Sequence, residues 1–202
     1  LPIFHIEQDL CKDNVGCQDQ TFAAYGGFNY IEFGGDHHLK IRKVTIGPEK
    51  IRALQDHLML YFTGFSRMAS EIAAHQIKNI PQKKAELRAM QEMAAQALAI
   101  LNDGDLNAFG RLMDEGWKLK RSLSDKVSTP EIDAMYETAK QAGAVGGKLL
   151  GAGGGGFVLL LVPPEKQPAV RERLKRFLQV PFKFEHLGSQ IIFYQPNSGK
   201  VD

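Results

Sequence analysis

The sequence contains little cysteine and no long apolar segment, and each shortage excludes whole classes of protein. Its two cysteines, Cys11 and Cys17, cannot form a disulfide framework or supply four ligands to a metal ion. We therefore expect two reduced thiols, as is usual in a cytoplasmic protein. The longest apolar run, residues 157–162, has the length of a strand, whereas a membrane span needs about 18 residues.

An excess of one charge is also lacking, since 25 basic residues face 23 acidic ones and leave a formal charge of +2. Such a balance argues against nucleic acid as the main partner. A small basic patch at Lys118, Lys120 and Arg121 is interpreted as a solvated helix face. The first ten residues lack the basic cluster of a secretory signal peptide. The histidines are scattered, so we expect no metal site among them.

Apolar periodicity predicts a strand hairpin, a helical block and a closing group of strands. Asp105 and Thr129 stand where two helices would be capped, and Gly104 stands where a preceding helix would end. Strands are expected at residues 28–33, 39–44, 58–63, 157–162, 182–186 and 190–194, and helices at residues 3–12, 90–101, 105–113, 129–143 and 165–178. This order predicts an α+β fold of the split β-α-β type.

Glycine is the one residue type in excess, with 20 where average usage predicts about 14. Eight of them fall within residues 143–156, so the excess is concentrated in one segment. Each glycine in a helix or strand costs about 1 kcal/mol relative to alanine. The run at residues 151–156 therefore favours a loop whose N–H groups approach an anion or another backbone closely.

Two familiar phosphate-binding patterns do not explain this segment. In the Walker A pattern Gly-Lys precedes Ser or Thr, whereas Gly147-Lys148 precedes Leu149. Residues 151–156 formally satisfy the pattern GxGxxG, but a dinucleotide site follows a strand and opens a helix. Here we expect the reverse order, with a helix before the segment and a strand after it.

The segment KLLGAGGGGF, residues 148–157, resembles the third conserved motif of the GHMP kinases, named after galactokinase, homoserine kinase, mevalonate kinase and phosphomevalonate kinase. Upstream, residues 15–20, followed by Gly26-Gly27, resemble the segment that carries the family's catalytic aspartate. The resemblance covers nearly the whole chain. Residues 63–67 and 117–120 are most similar to the branch of sugar kinases that phosphorylates D-glycero-D-manno-heptose 7-phosphate at C1.

The resemblance implies a GHMP-kinase-like α+β fold, with residues 1–50 as the end of an N-terminal domain. Residues 51–202 would be a ferredoxin-like C-terminal domain that includes the helical block. The family's N-terminal substrate motif and its Pro-x-x-x-Gly-Leu-Gly-Ser-Ser motif have no counterpart in the sequence, so the chain resembles the C-terminal part of such a kinase. We therefore expect apolar surface on the strands at Phe28 and Leu58, which favours a homodimer.

The resemblance also implies roles for single residues. Asp19 would orient or deprotonate the acceptor hydroxyl, because a carboxylate near a bound sugar can accept its proton. Gln18 and Gln20 would hydrogen-bond sugar hydroxyls. Without the resemblance, Asp19 would only cap the turn before Thr21. Arg67 would hold the 7-phosphate, since a guanidinium fork matches phosphate oxygens, or would form a surface salt bridge.

The glycines of the third motif would act on the phosphate that is transferred. Gly153, Gly154 and Gly155 would bring N–H groups near it and brace the family's phosphate loop, and Gly151 and Gly156 would set the ends of their own loop. Lys148 would be a second candidate, after Arg67, to hold the 7-phosphate of the sugar. The implied function is ATP-dependent phosphorylation of the anomeric hydroxyl of a heptose 7-phosphate in the cytoplasm, for nucleotide-heptose and surface-glycan synthesis. Mg²⁺ would be the cofactor, with ligands mostly outside the chain. The alternatives are a fucose or galactose kinase and a catalytically incomplete binding fragment.

Overall fold

The structure is a computed structural model that describes residues 4–34, 38–65 and 69–193. The helices are α1 (Gln18–Tyr25), α2 (Pro48–His57), α3 (Ala69–Asn79), α4 (Lys84–Asp103), α5 (Leu106–Ser122), α6 (Pro130–Gln141) and α7 (Gln167–Arg173). The strands are β1 (Asn29–Phe33), β2 (Leu39–Lys43), β3 (Leu58–Phe62), β4 (Gly146–Leu149), β5 (Phe157–Leu161) and β6 (Leu178–Gln179). A π-helical segment (His5–Leu10) precedes α1, and 3₁₀ turns occupy Ile80–Gln82 and Pro164–Lys166.

Four antiparallel strands form the central sheet, in the order β4-β5-β3-β6. β3 pairs with β5 from Leu58 opposite Leu161 to Phe62 opposite Phe157. Helices α3–α6 connect β3 to β4, and α7 connects β5 to β6, which is a split β-α-β arrangement. The prediction of an α+β fold is therefore confirmed, and the apolar run at residues 58–63 is an interior strand as predicted.

The chain after β5 departs from the predicted pattern. The helix predicted over residues 165–178 is shorter, because α7 ends at Arg173 and residues 178–179 form β6 beside β3. The strand predicted at residues 182–186 is wrong. The strand predicted at residues 190–194 is also wrong as far as residue 193, where the described part of the chain ends.

Residues 182–189 lie instead against the N-terminal part of the chain. The ring of Phe184 stacks on that of Phe28, with centroids 6.4 Å apart. The Ser189 N–H donates to the carbonyl of Ala23 at 3.0 Å, near the end of α1. The alternation of residues 182–186 thus arises from aromatic packing on a loop segment, and not from pairing in a sheet.

The helical block forms where it was predicted, although α4 begins before residue 90 and α5 continues beyond residue 113. The Asp105 carboxylate accepts the N–H of Ala108 at 2.8 Å, so this residue caps α5 as predicted. Thr129 caps α6 in the same way. Gly104 ends α4 in the left-handed conformation, with φ of 88°. Helices α1 and α2 were not predicted, and α1 has no apolar stripe that would have indicated it.

The main apolar core lies on the face of the sheet that α5, α6 and α7 cover. Its largest fully buried side chains are Trp117, Tyr61, Tyr136, Met59, Ile132 and Met135. Met59 and Met135 are thus core residues. A buried polar contact joins α5 to α6, where the Tyr136 hydroxyl donates to the Asp114 carboxylate at 2.7 Å. Lys118 pairs with the other oxygen of Asp114 at 2.7 Å.

Two of the glycines predicted to lie in a loop belong to a strand. Gly146 and Gly147 are the first residues of β4, where α5 crosses the sheet edge closely. A Cβ on Gly146 would overlap the carbonyl oxygen of Gly110 in α5, and one on Gly147 would overlap the carbonyl oxygen of Leu159 in β5. These glycines are therefore required by backbone contact within the core, and not by a ligand.

The N-terminal part, residues 4–44, is held more loosely. Strands β1 and β2 form the predicted hairpin, but none of their residues is buried. Phe28 and Leu58 are half-buried, so the apolar surface expected there is only partly open, whereas Phe33 is 53% exposed. Helix α2 occupies the predicted junction between domains. In the described ranges, no helix combines the length and apolarity that a membrane span requires.

Candidate functional site

The glycine loop, residues 150–156, connects two strands of the sheet. Strand β4 precedes it, so the prediction that a helix precedes it is wrong. β5 follows it, which still excludes a dinucleotide fingerprint because no helix opens there. Four of its glycines have positive φ, a conformation that other residues rarely adopt: Gly151, Gly153, Gly154 and Gly156.

Buried residues from two other connections hold this loop in place. The N–H of Gly156 donates to the Phe65 carbonyl at 2.9 Å, and the hydroxyl of the buried Thr63 donates to the Gly156 carbonyl at 3.0 Å. The N–H of Gly154 donates to the Val127 carbonyl at 2.9 Å. Gly154 therefore braces the loop through its own N–H group. That N–H is already bonded, so it does not donate to a phosphate, contrary to what the resemblance implied.

Two other N–H groups of the loop have no partner among the described residues. No described residue accepts a hydrogen bond from the N–H of Gly153, which is buried, or of Gly155, which is half-buried. A Cβ on Gly153 would lie 2.8 Å from the Val127 backbone, and one on Gly155 would lie 2.7 Å from the carbonyl oxygen of Phe65. Glycine is thus needed at both positions for the loop to pack.

Asp19 lies in the first turn of α1, which the sequence did not predict to be helical. The N-cap is Cys17, whose carbonyl accepts both the N–H and the hydroxyl of Thr21. No described residue donates a hydrogen bond to the Asp19 carboxylate, which is exposed. The alternative that Asp19 caps a turn is therefore wrong, and its carboxylate is available at the positive end of a helix dipole.

The two glutamines beside Asp19 differ in their surroundings. Gln18 is exposed. The amide nitrogen of Gln20 donates to the carboxylate of Glu7, while its amide oxygen is buried and has no partner among the described residues. Arg67 lies outside the described residues, so its predicted role as a phosphate ligand stays a prediction.

Lys120 joins the glycine loop to the neighbourhood of Asp19. Its ammonium donates to the carbonyls of Leu149 and Gly151, at the start of the loop. The pKa of Lys120 is lowered to about 8, mainly by burial and also by the positive charge of Lys148, while the negative charge of Asp19 opposes both. The interpretation of Lys120 as part of a solvated helix face is therefore wrong.

A spacing in the sequence could have indicated this lysine. Lys120 follows Trp117 by three residues, so it continues the buried stripe of α5 rather than its solvated face. Lys148 reaches the same region from β4, and burial among protein atoms lowers its pKa too, although solvent reaches part of its side chain. Lys148 was expected at the start of the loop, but its proximity to Lys120 was not predicted.

Both lysines border a cavity of about 420 Å³ that is lined by residues of α4, α5 and the central sheet. Most of its lining is apolar, as with Met93, Phe109 and Leu159. The charged groups of Lys120 and Lys148 therefore lie where an apolar wall meets the glycine loop. The described residues contain no group of three or more His, Cys, Asp or Glu side chains that could hold a metal ion, so these residues do not by themselves fit Mg²⁺.

Comparison with known proteins agrees with this geometry. Residues 93–180 match the family model described as GHMP kinases C terminal. The chain is 29% identical over 175 residues to the D-glycero-alpha-D-manno-heptose 7-phosphate kinase of Campylobacter jejuni, covering 86% of this chain and 52% of that protein. It is 28% identical over 183 residues to a bifunctional fucokinase/GDP-fucose pyrophosphorylase of Arabidopsis thaliana, covering 87% of this chain and 17% of that protein.

The fold is similar to that of a solved sugar kinase. A crystal structure of a D-glycero-D-manno-heptose 1-phosphate kinase from Bacteroides thetaiotaomicron superimposes with a TM-score of 0.64 at 27% identity. The match covers 92% of this chain and 51% of that one. The chain thus spans about half the length of this kinase and of the Campylobacter jejuni enzyme.

Proposed function

We propose, from the premise that residues 93–180 are the C-terminal domain of a GHMP kinase, that the protein transfers a phosphoryl group from ATP to a sugar hydroxyl. One observation supports this most directly. The Asp19 carboxylate has no hydrogen-bond donor among the described residues, and its charge acts on Lys120, which is bonded to the glycine loop. The Asp19 carboxylate, which can accept a proton, and the glycine loop, which can receive phosphate oxygens, therefore lie on the same side of the molecule.

The proposed mechanism assigns one step to each of these features. Asp19 accepts the proton of the attacking sugar hydroxyl, whose oxygen forms a bond to the γ-phosphorus of ATP as the bond to the ADP oxygen breaks. The N–H groups of Gly153 and Gly155 donate to the phosphate oxygens, where negative charge is concentrated. Gly154 and Gly156 hold the loop rigid through Val127 and Phe65. No step is assigned to Mg²⁺.

We propose a heptose 7-phosphate as the acceptor, phosphorylated at its anomeric hydroxyl. The names of two relatives support this choice, since both are heptose phosphate kinases and both match most of the chain. The similarity to a fucokinase and to galactokinases favours a free hexose as the second candidate. The reaction is proposed to take place in the cytoplasm, where Cys11 and Cys17 would remain free thiols, as they are in the structure.

A substrate panel tests the proposed activity. ADP release would be measured with D-glycero-D-manno-heptose 7-phosphate, fucose, galactose and no sugar, using the intact protein. We expect release to depend on the heptose phosphate. ADP release with fucose or galactose, and not with the heptose phosphate, would show that the acceptor is a free hexose, the second candidate. No release with any sugar, together with no ATP-induced rise in melting temperature, would contradict the kinase and favour a binding fragment.

Substitution of the proposed base tests the mechanism. Asp19→Asn keeps the size of the side chain but removes its capacity to accept a proton, so we expect turnover to fall by about 10²–10⁴-fold. Asp13→Asn is the matched control, because Asp13 is also an exposed carboxylate of the N-terminal part. Equal turnover in the Asp19→Asn variant and the wild type would contradict the assignment.

A further inference from the structure

Two lysines from different elements meet at the base of the glycine loop. Lys120 lies in the last turn of α5 and Lys148 in β4, 28 residues later in the chain. They line the same cavity, and the positive charge of Lys148 helps to lower the pKa of Lys120. The ammonium of Lys120 is fixed by the carbonyls of Leu149 and Gly151, so this charge is held in one place.

This pair of cations has little compensating negative charge. Within the described ranges, the Lys148 ammonium forms no ion pair or hydrogen bond, and the hydrogen bonds of the Lys120 ammonium are to carbonyl oxygens. The negative charge of Asp19 raises the pKa of Lys120 and so partly compensates the pair. Two like charges beside an apolar wall are unfavourable unless an anion binds between them, because the wall weakens their hydration.

The backbone next to these lysines offers donors of the same kind. The N–H groups of Gly153 and Gly155 have no acceptor among the described residues, and the loop that carries them is held rigid. Ammonium groups and unpaired backbone N–H groups together favour a compact anion with several oxygens. A carboxylate has only two such oxygens, whereas a phosphate has three and can satisfy both sets of donors.

We propose that Lys120 and Lys148, together with the N–H groups of Gly153 and Gly155, form a binding subsite for a phosphate group. The inference deepens the proposed function and rests on it, since it names the groups that neutralise phosphate charge near Asp19. The phosphate can belong to the sugar phosphate or to the nucleotide. The lining of the cavity beside the lysines is mostly apolar, and such surroundings strengthen the attraction between a cation and an anion.

The test is a titration that does not depend on turnover. The chain, with its lysine side chains labelled with ¹³C at Cε, would be titrated with inorganic phosphate and followed by NMR. We expect the signals of Lys120 and Lys148 to move together and saturate. Lys120→Met and Lys148→Met should each weaken phosphate binding by about tenfold or more. Lys175→Met is the control, since it removes an equal charge from an exposed lysine that pairs with Glu172.

Three further probes distinguish the source of the phosphate. D-mannose 6-phosphate, D-mannose and the non-hydrolysable nucleotide AMP-PNP would be titrated separately. Saturation by mannose 6-phosphate but not by mannose would assign the subsite to the sugar phosphate, and displacement of inorganic phosphate by AMP-PNP alone would assign it to the nucleotide. If Lys148→Met binds phosphate as tightly as the wild type does, the proposal is wrong. It is equally wrong if Lys175→Met weakens binding as much, because the effect is then one of net charge.

Folding and activity are checked separately from binding. Melting temperatures would show whether either variant is misfolded, and wild-type shifts of the two lysine signals test the site without any substitution. Phosphate binding through the lysines with no sugar-dependent turnover would leave the subsite intact and overturn the proposed function. Turnover that depends on Asp19, combined with unchanged phosphate binding and KM in both lysine variants, would overturn the subsite alone.

Discussion

The body of the molecule, residues 48–180, and its N-terminal part, residues 4–44, carry their proposed functional groups in contrasting environments. In the body, the glycine loop is bonded to Thr63, Phe65 and Val127, and it borders a core with many fully buried side chains. In the N-terminal part, Asp19 is exposed on a short helix, and the β1–β2 hairpin contributes no buried residue. The rigid glycine loop thus comes from the tightly packed body of the molecule, and the exposed Asp19 comes from the loosely packed N-terminal part.

The contrast indicates that stability and activity should respond to different substitutions. Changes in the body remove buried contacts and should lower the free energy of unfolding, whereas changes around Asp19 should leave it nearly unaltered. A stability measurement can therefore test the comparison without knowledge of the substrate.

The largest effect is expected for Trp117→Ala. Trp117 is 1% exposed and contacts Tyr136 across the core, so we expect the free energy of unfolding to fall by about 3–5 kcal/mol. Phe33→Ala, in the hairpin, should cost less than about 1 kcal/mol because Phe33 is 53% exposed. Urea unfolding would be followed by circular dichroism, since the variant lacks the single tryptophan. Equal losses in the two variants would contradict the comparison.

Gly146→Ala should have the next largest effect. A methyl group at this position would overlap the carbonyl oxygen of Gly110, so α5 and β4 must separate, at a cost of about 1–3 kcal/mol. Gly16→Ala is the matched control in the N-terminal part, because its added methyl group would meet no atom within 4 Å. The same urea measurement applies, and a Gly146→Ala variant as stable as the control would show that the helix and strand are not in such close contact.

Tyr136→Phe removes one buried hydroxyl and should cost about 1–2 kcal/mol. Burial opposes the ionised form of Asp114, but hydrogen bonds from Lys118 and Tyr136 nevertheless hold its pKa below the usual value. The variant should therefore raise the pKa of Asp114, which NMR titration of its carboxyl carbon would detect. Tyr25→Phe, on a side chain that is 50% exposed, should change neither quantity. An unchanged Asp114 titration would mean that the hydroxyl does not stabilise the carboxylate.

Asp19→Asn should have the smallest effect on stability. No described residue donates a hydrogen bond to the Asp19 carboxylate, so the substitution removes none. The free energy of unfolding of the variant should therefore lie within about 0.5 kcal/mol of the wild-type value, even though the proposed phosphoryl transfer is lost. Urea unfolding and ADP release would be measured on the same preparation. A large loss of stability would show that Asp19 has a structural role, and it would make the loss of activity uninformative.

Parts of this arrangement could be predicted from local pattern. The caps at Asp105 and Thr129 were predicted correctly because a capping side chain bonds to an N–H only three residues away. The interior strand at residues 58–63 was predicted from its continuous apolar run. The strand predicted at residues 182–186 was wrong, because its alternation also suits a loop that packs one aromatic face on Phe28.

The sequence by itself determined the α+β class, the caps of the helical block and the presence of a loop rich in glycine, because each depends on neighbours within a few residues. Only the tertiary structure decided which glycines serve the loop and which serve packing. It distinguished Gly146, which packs against α5, from Gly153 and Gly155, whose N–H groups have no acceptor among the described residues. It also showed that Lys120 contacts the loop and is not simply a surface residue, since the hydrogen bonds of this α5 side chain to the carbonyls of Leu149 and Gly151 join residues about 30 positions apart.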